Sequence, residues 1–194
     1  MIEDDDQPVV APRPVQLGTD LELRLASADD VEAMRDVEVD AGRRFRDLPG
    51  GLAEIADDDP PAVDVLLANI DNGTAWVVVD RATGAVLGYA LASMLDDEAH
   101  LDQLSVRESA GRRGIGSALV EAVCAWAVSL GFSAITLTTF RDVAFNGPVY
   151  ARMGFVELAP VDLGPELQLL RDLEQDIGLD VAPRVAMRRR LTGA

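Results

Sequence analysis

Lysine is absent from all 194 residues, and cysteine and histidine occur once each. Seventeen arginines therefore face 34 acidic residues, for a formal net charge of -17. A chain this acidic is excluded as a general nucleic-acid binder, because phosphate backbones need clustered positive charge. The same field would attract a small cation. Without lysine, the Gly-Lys-Ser/Thr loop that cradles nucleotide phosphates cannot be formed. A lone Cys124 excludes an intramolecular disulfide and suits a reducing compartment; within "ALVEAVCAWAV" it reads as a small buried residue. No apolar run approaches the ~20 residues of a membrane-spanning helix. The acidic start "MIEDDDQPVV" lacks the apolar segment of a signal peptide. A soluble cytoplasmic protein is the expectation.

Hydrophobic residues make up 48% of the chain, enough for a packed core. Residues 1–20 are acidic and then proline-containing, and are expected to be a disordered tail before a single domain at 21–194. "LELRLA" alternates apolar and polar residues as a strand does. Ser27, Asp29 and Asp30 then offer N-cap oxygens to a helix through "VEAMRDVEVDAGRRF". "RDLPGGLAEIADDDPPAV" reads as a mobile loop with room for a short helical turn, followed by a helix through "VDVLLANID". "TAWVVVD" and "AVLGYALASML", joined by "RATG", predict an antiparallel hairpin, and "AHLDQLSV" a further strand. Leu119, Ala122, Val123, Trp126 and Leu130 recur at helical spacing, with Gly131 placed to end that helix. "AITLTTF" and "FVELAPV" read as strands, with the short helical "FNGPVYARM" between them. A helix through "PELQLLRDLEQDIG" and a strand "RVAMRRRL" complete a mixed α/β (or α+β) order.

The most informative stretch is "SAGRRGIGSAL" (Ser109–Leu119), a glycine-arginine turn between a strand and a helix. Such a turn exposes backbone N–H groups at a helix N-terminus, where the orphan donors and the helix dipole favour an anion. Gly111, Gly114 and Gly116 let the backbone approach a phosphate, and Arg112 and Arg113 add fixed positive charge. A dinucleotide fingerprint does not fit, since its glycine spacing differs and its turn follows the first strand of a βαβ unit.

The turn and the order of elements resemble the GNAT superfamily of acyl-CoA-dependent N-acyltransferases. "LSV" (Leu104, Ser105, Val106) resembles the triplet that ends the family's central strand. Gly114 and Gly116 match the small positions of its Gln/Arg-x-x-Gly-x-Gly/Ala motif, whereas Gly111 stands at the Gln/Arg position. "NGPVYARMGF" (Asn146–Phe155) resembles the Asn…Tyr-x-x-x-Gly-Phe segment beside the pantetheine arm. The resemblance implies a mixed, mostly antiparallel central sheet of six or seven strands flanked by helices. It implies acetyl-CoA as cosubstrate, no metal, and a small or peptidic primary amine as acceptor, in a chain that could form a homodimer. A non-catalytic acyl-CoA-binding module is the alternative. The implied CoA-binding residues are Leu104, Ser105, Val106, Gly111, Arg112, Arg113, Gly114, Ile115, Gly116, Ser117 and Asn146, with Gly111 contributing its backbone N–H.

Acyl transfer from a thioester to an amine requires a base for the amine, donors for the oxyanion and a proton for the thiolate. Tyrosine, with an ordinary pKa near ~10, is protonated at neutral pH, and the resemblance makes Tyr150 the general acid. Period two puts His100 and Asp102 on one strand face, so His100 is a candidate base and Asp102 either orients it or receives the substrate's ammonium directly. A backbone N–H in Leu104–Val106 is implied as the oxyanion donor. Glu38, Asp40 and Arg43, on the helix expected to wall the acceptor pocket, could equally be a solvated face.

Overall fold

The computed structural model describes residues 9–13 and 15–192. In chain order its elements are strands β1 (Val9–Val10) and β2 (Leu21–Leu25), then helices α1 (Val31–Gly42) and α2 (Val63–Asp71). Strands β3 (Ala75–Asp80), β4 (Val86–Leu95) and β5 (Glu98–Val106) follow, then helix α3 (Ile115–Ser129) and strand β6 (Ala134–Phe140). Helix α4 (Gly147–Arg152), strand β7 (Val156–Glu157), helix α5 (Pro165–Asp176) and strand β8 (Arg184–Leu191) complete the chain.

The chain divides into two compact units. One comprises Arg13–Ala92 and Asp102–Val123; the other comprises Ser93–Leu101, Cys124–Ala194 and the described part of Met1–Pro12. Strands β4 and β5 each begin in one unit and end in the other.

In the first unit, β2 and β4 both pair with β3, antiparallel. The expected cap before α1 is a capping box, in which Ser27 and Asp30 satisfy each other's backbone donors. Helix α1 buries Val31, Met34 and Val37 against Leu66 of α2 and Ala75, Val77, Val79 and Tyr89 of the strands. Each such fully buried aliphatic side chain contributes about 1.5–3 kcal/mol, so this stripe fixes the helix on the strands. The expected loop carries its helical turn as a 3-10 segment, Gly50–Asp57, that buries Leu52 and Ala56. The β3–β4 register shifts between Val78 and Val79, passing over Leu87, whose carbonyl accepts the N–H of Arg107. A Cβ at Gly88 would stand 2.9 Å from the Ser105 carbonyl, so only glycine lets β4 approach β5 this closely.

In the second unit, Asp96 and Asp97, with φ of 51° and 59°, make the two-residue turn between β4 and β5. Strand β6 pairs parallel with β5 over three residue pairs, Ala99–Ile135 to Leu101–Leu137. On its other side β6 pairs antiparallel with β8 along its full length. The described residues therefore form a mixed, mostly antiparallel fold, as expected.

Local differences have local causes. Val9–Val10, expected within a disordered tail, pairs parallel with β8; residues 1–8 of that tail lie outside the described residues. Strand β7 is two residues long because Pro160 opens a 3-10 turn. Leu130 is exposed, not in the core stripe of α3. Gly131 ends α3 at φ 89°, at its predicted place, and Gly154 follows α4 at φ 89°.

Candidate active site

The glycine-arginine turn belongs to the first unit. A 3-10 turn at Glu108–Ala110 leads into it, with the Asp40 carboxylate accepting the N–H of Glu108 at 2.8 Å. Asp40 thus ties α1 to the start of the turn, and it also pairs with Arg43 one helical turn on, at 3.2 Å. Arg112 and Gly114 then take φ of 62° and 80°, and the Gly114 carbonyl accepts the first bond of α3 from Ala118. Among the described residues, the N–H groups of Arg112, Arg113, Gly114, Ile115, Gly116 and Ser117 have no acceptor. Six unanswered donors at the positive end of a 15-residue helix form a ready anion site. A Cβ at Gly116 would lie 3.8 Å from Val106 and 4.0 Å from Leu104, which brings the helix start over the end of β5.

Two residues of the turn differ from expectation. The N–H of Gly111 is not available to a ligand, because it donates to the Glu108 carbonyl at 3.1 Å. Its missing side chain matters instead: a Cβ there would come within 2.9 Å of the Arg44 guanidinium. Arg44 thus reaches the Gln/Arg position of the motif from the end of α1. Its one hydrogen bond among the described residues is a long 3.5 Å contact to the Arg107 carbonyl. Arg113 is held by Asp20 at 2.5 Å, whereas Arg44 and Arg112 have no carboxylate partner among the described residues. Arg44 was missed because α1 gives way to a 3-10 turn at Arg43–Phe45, which changes the direction its side chain takes.

A second group in this unit centres on Glu38, on the edge of the buried stripe of α1. Its carboxylate accepts from the Tyr89 hydroxyl at 2.5 Å, the Ser105 hydroxyl at 2.7 Å and the Gln103 amide at 2.8 Å. Tyr89 is 0% exposed, and burial together with the Glu38 charge pushes its hydroxyl pKa well up, so it remains a donor. The sequence signal was available: Glu38 lies four residues after Met34, one helical turn along the core face.

His100, Asn146 and Tyr150 belong to the second unit and Asp102 to the first. His100 is 1% exposed. Its Nδ1 lies 2.8 Å from the Thr136 hydroxyl, so Thr136 takes the orienting role expected of Asp102, which is exposed. Burial lowers the His100 pKa to about 4 against the opposing charge of Glu174, so the imidazole is neutral. Thr136 also lines a cavity of about 390 Å³, together with Asp96, Glu98 and Arg188.

Asn146 precedes α4, and its Nδ2 donates to Thr139 at 3.0 Å. Its buried Oδ1 has no partner among the described residues and would accept a ligand N–H. The Tyr150 ring meets Phe155 edge-on at 5.8 Å. Burial raises the Tyr150 pKa, so its hydroxyl is a donor, and it has no hydrogen-bond partner among the described residues.

A model of the acetyltransferase (GNAT) family matches residues 42–155, more than half of the chain. Solved structures share the fold at low identity. An acetyltransferase of the GNAT family from Staphylococcus aureus Mu50 is 15% identical, with a TM-score of 0.67 over 89% of this chain and 99% of that one. Ard1 from Thermoplasma volcanium is 18% identical, with a TM-score of 0.62 over 90% and 100%. The PaiA N-acetyltransferase from Thermoplasma acidophilum, solved with coenzyme A, is 14% identical, with a TM-score of 0.62 over 88% and 98%.

Proposed function

The chain belongs to the GNAT acetyltransferase family, and from that premise we propose that it transfers an acetyl group from acetyl-CoA to a primary amine of a small molecule or peptide. The observation that carries this reading is the turn with its six unanswered N–H groups and the unpaired Arg44 and Arg112. Bound acetyl-CoA supplies an activated thioester carbonyl and a thiolate leaving group. The N–H groups of Arg112–Ser117 hold the diphosphate, and Arg44 and Arg112 add charge without a competing carboxylate. Gly114 supplies the left-handed backbone and Gly116 keeps the floor open. Asn146 offers its unpartnered Oδ1 to an amide N–H of the pantetheine arm. Backbone N–H groups in Leu104–Val106 serve the developing oxyanion, and Tyr150 gives its proton to the departing sulfur.

Calorimetry with acetyl-CoA and a CoA-release assay over an amine panel test the reading. Binding and turnover are expected, with Tyr150→Phe lowering turnover by about 100-fold while acetyl-CoA still binds. Full activity in that variant would remove Tyr150 from the mechanism. Tight binding without turnover on any amine would favour a non-catalytic acyl-CoA-binding module. No binding at all would overturn both.

A further inference from the structure

The stretch of chain before β2 lies against the glycine-arginine turn, and all of its contacts there fall within the first unit. The Arg13 N–H donates to the Glu121 carboxylate, in the second turn of α3, at 2.7 Å. Val15 is half-buried, and its Cγ1 stands 3.7 Å from the place a Cβ on Gly114 would take. A valine methyl therefore fills the space beside the left-handed glycine. Asp20 then pairs with Arg113 at 2.5 Å. Glycine at position 18 permits that pair, since a Cβ there would come within 2.4 Å of the Asp20 carboxylate. Arg13, Val15 and Asp20 thus lay one strap along the turn and the start of α3.

The strap meets the parts of the turn that a diphosphate would use. Val15 is apolar and gives no acceptor to the six open N–H groups. Asp20 puts a carboxylate on Arg113, and a negative group there repels an incoming phosphate. Its hold is nevertheless weak. The Arg113 and Asp20 side chains are 38% and 58% exposed, and a surface pair of this kind is screened by water and salt. The N–H groups of Val15, Gln16, Leu17, Gly18 and Thr19 donate to no acceptor among the described residues. Little is lost, therefore, when this stretch lifts. A phosphate on Arg113 and the backbone donors makes stronger, charge-assisted bonds than Asp20 and Val15 make there.

Resting on the reading of this turn as the acetyl-CoA cradle, we propose that residues 15–20 are an autoinhibitory strap. They occupy the cradle in the free protein, and acetyl-CoA binds by displacing Val15 from Gly114 and Asp20 from Arg113. Apparent affinity is then the intrinsic affinity reduced by the fraction of molecules in which the strap is lifted. Changes that loosen the strap raise affinity, and changes that tighten it lower affinity. A segment that closed over the ligand would behave in the opposite way.

Calorimetric titration of the full chain with acetyl-CoA tests the strap by sign. Val15→Gly removes the methyl groups and Asp20→Asn removes the competing charge. Each is expected to tighten binding by about 3-fold, and the two together by about 10-fold. Val15→Asp places an anion against the open N–H groups, where the helix start favours it, and is expected to weaken binding by about 5-fold. A nitroxide on Gln16→Cys reads the motion, since Gln16 is exposed and Cys124, at 0% exposure, stays unlabelled. Its mobility is expected to rise when acetyl-CoA is added. Unchanged or weaker binding in the double variant, or a nitroxide that is unaffected or slowed, would overturn the strap and leave the acyl-transfer reading intact. Binding seen in the double variant alone would support both. If neither the parent nor the double variant binds acetyl-CoA, the acyl-transfer reading fails and the strap fails with it.

Discussion

Glu38 and Glu174 are both helical glutamates that accept hydrogen bonds from three residues, but their partners differ in charge. Glu174 is 7% exposed and takes its bonds from Thr138 at 2.5 Å, from Arg184 at 2.6 Å and from Arg171. Arg184 in turn lies over the Phe140 ring at 4.7 Å, and Arg171 also reaches Asp180. Burial alone would raise the Glu174 pKa, but the bonds and charge of Arg184, with Thr138 and Arg171, outweigh it and lower the pKa. Glu38 receives only neutral donors and keeps its charge unanswered. The same contrast separates Arg171 and Arg184, whose charges meet carboxylates, from Arg44 and Arg112, whose charges do not. Charges that the chain neutralises itself hold the fold, and charges left uncompensated are available to a ligand.

The largest expected break of this pairing is in stability. Glu174→Gln leaves the largely buried Arg184 guanidinium without its anion, while Arg171 keeps Asp180, and should cost about 3–5 kcal/mol in chemical denaturation. Glu38→Gln should cost about 1 kcal/mol, since it retains hydrogen-bonding partners and abandons no cation. If the two costs prove equal, the distinction fails. Because the native Glu174 pKa is depressed, its contribution is present above the unfolded carboxylate range and lost as pH falls through the native value. The acid limb of the stability profile should therefore flatten in Glu174→Gln.

A second effect concerns the turn. Gly114→Val forces a β-branched residue to φ 80° and fills the cradle, so acetyl-CoA binding should be abolished in calorimetry. Arg44→Ala should weaken binding by about 10-fold, the value of one charge-assisted bond to phosphate. Arg112→Ala should weaken it less than Arg44→Ala, because the exposed Arg112 acts mainly through screened charge. The reverse ranking of the two arginines would show that Arg44 does not supply the cation missing at Gly111.

The smallest effect is a pH signature. His100 is native with a pKa of about 4 against an ordinary 6.5. Its stability contribution is thus complete above about pH 6.5 and declines as pH falls toward 4, because only the unfolded chain takes up the proton there. A His100→Gln variant should show a shallower decline across that window. An unchanged slope would return His100 to the candidates for a solvent-linked base.

Local chemistry made much of the fold legible. The "RATG" hairpin, the Ser27–Asp30 capping box, the glycine stops after α3 and α4 and strand β6 follow from periodicity and turn residues acting over a few positions. The turn at Gly111–Gly116 was legible for the same reason, since its donors are backbone groups that any strand-turn-helix exposes. Side-chain sites were not. Glu38 meets Gln103 and Ser105 across 65 and 67 residues, and Arg44 lies 63 residues from the Arg107 carbonyl it touches. The spacing of Glu38 after Met34 puts it beside the core face, but no neighbouring residue marks which distant donors it meets. His100 reads from sequence as the one group able to titrate near neutrality, but burial and Thr136 hold it neutral.

By itself, then, the sequence determined the order of strands and helices and the backbone cradle, because propensity, capping and glycine conformation operate over single turns. Only the tertiary structure decided which charges are answered and which are left open. That depends on which distant donors and cations arrive at each carboxylate or guanidinium once the chain has packed.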